Sequence, residues 1–126
     1  MFLKLEDLEV YQLAEQLADD IWEFVMTWEK FSRDTVGKQL VRSADSISAN
    51  ISEGFGRFSY KENVQFCYFA RGSHAETKNW LRRAGRRDLL TVQQSDALEE
   101  RLELVGKKLN SYINSIKRQF SKPKLS

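Results

Sequence analysis

Helix breakers and reactive side chains are scarce in this sequence. Its one proline, Pro123, lies among the last few residues, and six glycines are spread along the rest. Nothing in the interior therefore forbids long helices. A single cysteine, Cys67, excludes an intramolecular disulfide, and no Cys-x-x-Cys or Cys/His spacing offers a zinc site. No stretch approaches the roughly 18 apolar residues of a membrane-crossing helix. The first residues, Met1 to Asp7, carry two acids where a signal peptide needs an apolar run. The expectation is a cytoplasmic protein with no membrane attachment, no metal and no cofactor.

What is present points to helices. The 126 residues suit one domain, and 41% hydrophobic with 30% charged residues describes a globular chain rather than a disordered one. The net charge of +2 conceals an asymmetry. Residues 1–31 hold two lysines against eight acids, residues 32–95 eleven cations against six acids, and residues 96–126 seven against four. A basic body favours acidic partners, nucleic acid first among them, but it equally favours the chain's own acidic first helix.

Val10, Ala14, Leu17, Ile21, Phe24 and Trp28 recur at alternating steps of four and three, the spacing of a helix packed along a bundle seam, and predict a helix over about 7–29. Val36, Leu40, Ala44, Ile47 and Ile51 predict a second over 33–55, with Ser32 as its cap. Ser59-Tyr60-Lys61-Glu62 and Thr91-Val92-Gln93-Gln94 have the form of capping boxes, opening a third segment that ends near Arg87-Asp88 and a fourth that reaches about Phe120. The third carries small residues at Ala70, Ser73 and Thr77, which let a neighbouring helix come close. Trp22, Trp28 and Trp80 stand at or beside seam positions and read as packing or interface anchors. Short connections force neighbouring helices antiparallel. The reading is an all-α chain: one antiparallel up-down-up-down four-helix bundle over residues 1–120, then a polar tail, 121–126.

Enzyme chemistry has little to work with. Cys67 and His74 are two turns apart, about 10.5 Å of rise, with no third group to orient them. Glu-x-x-His pairs for a di-metal site do not occur. Gly54 and Gly56 follow a helix rather than a strand and lack the Lys-Ser/Thr of a phosphate loop, so they read as a helix end and turn. No catalytic residue is expected.

Two polar stripes remain. Arg42, Ser46, Asn50, Glu53 and Arg57 share a sector of about 80° beside the apolar face of the second helix, and Glu53 and Arg57 are placed to pair. This stripe is either a network fixing a helix corner or subunit contact, or a ligand site. Arg71, Lys78, Arg82 and Arg86 share one face of the third helix, with Arg83 and Arg87 beside its end and Lys61 near its start. Terminal cations suit the helix dipole, but four arginines in six residues exceed that need. They either contact phosphates, to which the guanidinium fork is matched, or pair with Glu15, Asp19, Asp20 and Glu23 of the first helix in the same or a neighbouring subunit.

Three runs carry a resemblance: Leu8 to Ala14; Gln39 to Arg57, with its Arg-x-x-x-Ser-Ile-x-x-Asn-Ile-x-Glu-Gly-x-Gly-Arg pattern; and Phe69-Ala70-Arg71-Gly72-Ser73 with Glu76. Over nearly its whole length the chain resembles the four-helix bundle proteins encoded in intervening sequences of bacterial large-subunit ribosomal RNA genes. That group is similar in turn to the accessory variability determinant of diversity-generating retroelements, a basic pentameric bundle that binds nucleic acid. The resemblance implies a bacterial, non-enzymatic bundle assembled as a homopentamer. Its motif falls on Arg42, Ser46, Asn50, Glu53, Gly54, Gly56, Arg57, Ser73 and Glu76; the arginine cluster lies outside it. Where the family ends its third helix with a Leu-Gly-Tyr-Leu-like turn, this chain reads Arg87-Asp88-Leu89-Leu90, so Asp88 is expected in the left-handed position that glycine takes easily. The functional expectation is an oligomeric accessory protein binding the phosphate backbone of RNA or DNA. Its alternative is an assembly scaffold for a protein partner, with charged stripes serving subunit contacts alone.

Overall fold

A computed structural model describes residues 3–120; the expected polar tail, 121–126, lies outside the described residues. A 3-10 turn, Leu5–Asp7, leads into α1 (Glu9–Met26). The chain turns at Glu29, re-enters helix at Lys30–Ser32, widens into a π-turn over Arg33–Gly37, and continues as α2 (Lys38–Phe55). Two longer helices follow, α3 (Tyr60–Arg86) and α4 (Val92–Phe120). α1 packs on α2 and α4, and α3 packs on the same two helices, so α1 and α3 take opposite corners of the square. This is the antiparallel up-down-up-down bundle that the apolar spacing predicts.

The predicted seams form the core. Val10, Ala14, Leu17, Ile21 and Trp28 are buried, as are Leu40, Ala44, Ile47 and Ile51 of α2 and Leu98, Leu102, Val105, Leu109 and Ile116 of α4. Each large aliphatic side chain withdrawn from water contributes about 1.5–3 kcal/mol. α3 is leaner: it buries Val64, Cys67, Ala70, Thr77, Leu81 and Ala84, and the small ones at its middle bring α2 close.

Local chemistry sets the ends of the helices. Ser59 Oγ accepts from the Glu62 amide at 3.1 Å. At the start of α4 the box is reciprocal, the Gln94 amide donating to Thr91 Oγ1 at 3.1 Å and the Thr91 amide to Gln94 Oε1 at 3.0 Å. Asp88 has φ of 59°, as expected. The Leu89 amide reaches back to the Ala84 carbonyl at 2.9 Å and that of Asp88 to Gly85 at 3.2 Å, which satisfies two carbonyls of the last turn of α3.

Two expectations are corrected. Ser32 does not cap α2: its own backbone is helical (φ −65°, ψ −40°), which keeps its hydroxyl from the amides ahead, and the break falls at Glu29 instead. In the helix that extends back past Ser32, Lys30 pairs with Asp34 at 2.6 Å, and Gly37, packed on Val25 and Trp28, lets the π-turn lie against α1. Of the two roles expected for Trp22, its half exposure, one step beyond the buried Ile21, removes the core one and leaves the interface one. Trp28 is in the core, and Trp80 is half-buried at its edge.

Candidate functional site

The motif residues of α2 and α3 meet one another. Asn50 Nδ2 donates to the Ser46 carbonyl at 2.8 Å and to Ser46 Oγ at 3.1 Å. From α3, the Ser73 hydroxyl reaches Ser46 Oγ at 3.0 Å. One turn further along, the buried Thr77 Oγ1 lies 2.7 Å from the Ser73 carbonyl and 3.0 Å from Ser43 Oγ, which in turn lies 3.1 Å from the Leu40 carbonyl, so two hydroxyl protons serve three contacts. These bonds form a ladder of small hydroxyls between two closely packed helices. Gly54 continues it: a β-carbon there would stand 2.7 Å from Asn63 Oδ1 and 2.9 Å from Phe66 Cβ. Ser46, Asn50, Gly54 and Ser73 are thus spent on the α2–α3 seam. Ser43 and Thr77 belong to the same network and were not singled out as polar members of it; their signal is the spacing that places Ser43 one helical turn before Ser46.

The outer edge of the stripe faces water. Glu53 and Arg57 pair as expected, Oε1 to Nη2 at 2.6 Å, but with both side chains about half exposed. Arg57 also lies over the Phe66 ring at 4.7 Å. Arg42, Gly56 and Glu76 are exposed.

All seven cations expected to meet phosphate are exposed: Lys61, Arg71, Lys78, Arg82, Arg83, Arg86 and Arg87. They do not form one patch. Lys61 lies 21 positions before Arg82 on the same helix, about 32 Å away along the axis at 1.5 Å per residue. Arg71 reaches Asn110 of α4 at 3.4 Å and stacks over Tyr68 at 4.8 Å. Lys78 and Arg82 line a groove of about 640 Å³ between α3 and α4, and four acids of α4, Asp96, Glu99, Glu100 and Glu103, line it with them. Arg86 lies in a neighbouring cleft at the α3–α4 turn. Arg83 and Arg87 project about 100° further round the helix, outside both. Among the described residues none of the four terminal arginines has a carboxylate within 4.0 Å. Pairing with the acids of α1 inside one chain does not occur, since α1 sits across the diagonal from α3 and Asp20 is held by Arg101 of α4 at 2.6 Å.

His74 and Cys67 are apart in use as well as in sequence. His74 Nε2 stands 2.7 Å from the Leu102 carbonyl, so that nitrogen donates, and the imidazole fits because Gly106 has no side chain. Burial pushes the Cys67 thiol up to about 11, which keeps it protonated. Among the described residues no three His, Cys, Asp or Glu side chains converge on a metal position, and no helix is long and apolar enough to cross a membrane.

A four-helix bundle with a hydroxyl-lined seam and exposed cations along one helix defines a class of small helical proteins. The family described as 23S rRNA-intervening sequence protein matches residues 6–111, and the chain belongs to it. It is similar to a crystallised protein of unknown function from the S23 ribosomal protein family of Bacteroides thetaiotaomicron VPI-5482. The TM-score is 0.74 at 25% identity, covering 82% of this chain and 97% of that one. No curated protein matches the chain.

Proposed function

We propose that this protein is a non-enzymatic, oligomeric accessory bundle of the bacterial cytoplasm that holds RNA or DNA by its phosphates. The observation that carries this reading is the end of α3, where Arg82, Arg83, Arg86 and Arg87 all reach water without a carboxylate in pairing distance among the described residues. Mutual repulsion there is relieved by phosphate oxygens. Acids share the clefts of Lys78, Arg82 and Arg86 and offset part of their charge, so Arg83 and Arg87 carry most of the contact.

Titrating labelled RNA and DNA across salt concentrations tests it. Phosphate contact makes log affinity fall linearly with log salt, and changing all four arginines to glutamine should flatten that slope by about 0.7–0.9 for each phosphate released. An unchanged slope rejects the reading.

A second reading, an assembly scaffold, is favoured by α1. Trp22 and Met26 are half exposed on the helix face that also carries Glu15, Asp19 and Glu23. An apolar, acidic face of this kind suits the basic α3 of a neighbouring copy, and a closed ring of five is the specific assembly proposed. Light scattering decides the assembly, and an oligomer that dissociates when the four arginines are neutralised assigns them to subunit contact instead.

A further inference from the structure

The start of α3 lies at the opposite end of the bundle from the arginines and differs from it in kind. There the α2–α3 corner, the last turns of α4 and Leu3 surround a cleft of about 280 Å³. Phe58 stands at its edge with its side chain fully exposed (108%), and Tyr60 beside it is 50% exposed. A soluble chain ordinarily withdraws phenylalanine from water. The turn does not need this ring: Gly56 ends α2, Ser59 caps α3, and Phe58 between them makes neither contact.

The remaining lining mixes apolar side chains, Leu3, Phe55 and Ile116, with polar ones. Tyr60 Oη donates to Gln119 Oε1 at 3.2 Å, which leaves the Gln119 amino group available, and Asn63 Nδ2 reaches Tyr112 Oη at 3.3 Å, which leaves the phenol proton available. Among the described residues Arg57 is the one charged member of the lining, in contrast to the four carboxylates of the α3–α4 groove. Its Nη2 is held by Glu53, and its other N–H groups have no partner among the described side chains. The N-terminal end of the 27-residue α3 adds a positive dipole at the same rim. Aromatic faces, amide and phenol donors and one guanidinium in a small cleft match a planar heterocycle with a phosphate attached.

We infer that this cleft is a stacking site for one unstacked base of a single strand, with Phe58 and Tyr60 against the base and Arg57 on its phosphate. The inference rests on the nucleic-acid reading above and narrows the partner, because a base inside a duplex is already stacked on both faces.

The test uses the full chain, a labelled single strand of about 20 nucleotides and the duplex of the same sequence. Phe58→Ala should weaken single-strand binding roughly 5- to 150-fold, as loss of one stacked base does, with duplex affinity and salt slope unchanged. Phe58→Trp should retain single-strand binding. The arginine variants above should instead flatten the slope for both probes, which separates the two sites. Three results overturn the stacking site: single-strand affinity within twofold of the parent, equal loss on both probes, or a change in oligomer size that makes Phe58 a subunit contact. Adenosine monophosphate binding as tightly as the strand overturns the single-strand assignment. A parent protein that binds neither probe rejects both readings, whereas one that binds both probes equally and ignores Phe58→Ala rejects this one alone.

Discussion

Along the side that α3 turns to α2, it presents Ser73, Thr77 and the backbone around Asn63; along the side it turns to α4, it presents His74, Lys78 and Arg82. On the first side the partners are hydroxyls, carbonyls and a glycine in direct contact, so the two helices approach until a β-carbon on Gly54 has no room. On the second, long charged side chains stand around an open groove, and His74 ties the pair together through the Leu102 carbonyl. The difference separates two uses of polar residues. Short side chains in a seam are satisfied by each other and fix geometry, whereas long ones beside a groove keep their donors turned to water. The family motif falls largely on the first kind, and the cations proposed to meet phosphate belong to the second.

The sharpest way to break this contrast is to add one methyl group on each side. Gly54→Ala drives a β-carbon to 2.7 Å from Asn63 Oδ1, 2.9 Å from Phe66 Cβ and 3.0 Å from the Asn63 carbonyl. Backbone cannot yield as a side chain does, so stability should fall by about 1–3 kcal/mol. Gly106→Ala meets only the tip of the His74 ring, at 2.7 Å. That ring can swing away, and alanine's higher helix propensity offsets part of the lost hydrogen bond, so urea denaturation should show a clearly smaller loss. Equal losses would mean that the two sides of α3 are equally rigid.

Thr77→Val tests the hydroxyl ladder with little change of volume. The side chain is fully buried, and the substitution removes the hydroxyl that meets Ser43 Oγ and the Ser73 carbonyl while Ser43 keeps the Leu40 carbonyl. A loss of about 1 kcal/mol is expected, the net worth of one intramolecular hydrogen bond. No loss would make the ladder incidental to packing.

How much of this could be read from the residues alone depends on range. The apolar seams and the caps at Ser59 and Thr91 rest on residues within a few positions of each other, and they stand where expected; the left-handed Asp88 also stands where expected, but that expectation came from the family resemblance. The Glu53–Arg57 pair is equally local and forms, but its exposure is set by α3, so it contributes only about 0.2–1 kcal/mol as a surface pair rather than the larger amount a buried one would. The acids of α4 beside Lys78 and Arg82 were out of reach of sequence reasoning, because that meeting depends on which helix takes which corner. The same holds for α1, whose acids match the arginines in charge but lie across the diagonal. Phe58 carries no periodic signal at all, since turn residues have none.

Gly72 sharpens the comparison from between the two sides. It sits at the exposed middle of α3, and a β-carbon there would meet nothing within 4 Å. Gly72→Ala should therefore stabilise the chain by roughly 0.5–1 kcal/mol through helix propensity and a less disordered unfolded state. Thermal melting checks this. Destabilisation, or a smaller particle in light scattering, would place a second copy of the chain against that position.

The smallest expected effect lies at the seam between α1 and α2. Asp45 is exposed, but partial desolvation against α1 raises its carboxyl above the ordinary value, and the neighbouring charge of Asp19 raises it further. The folded state then holds this proton more tightly than the unfolded state does. Stability accordingly falls as pH rises from the ordinary carboxylate value through the raised one, and the full penalty applies at neutral pH. Asp45→Asn removes it while keeping shape and a similar helix propensity. The variant should be more stable than the parent at pH 7 by less than about 0.5 kcal/mol, because water still reaches the carboxylate and screens it. The gain should vanish at about pH 3, where the parent is protonated as well. Urea midpoints measured at both pH values give the comparison. A variant less stable than the parent at pH 7 would show that a donor or cation supports the Asp45 charge, and that the α1–α2 seam resembles the hydroxyl ladder more than the open groove.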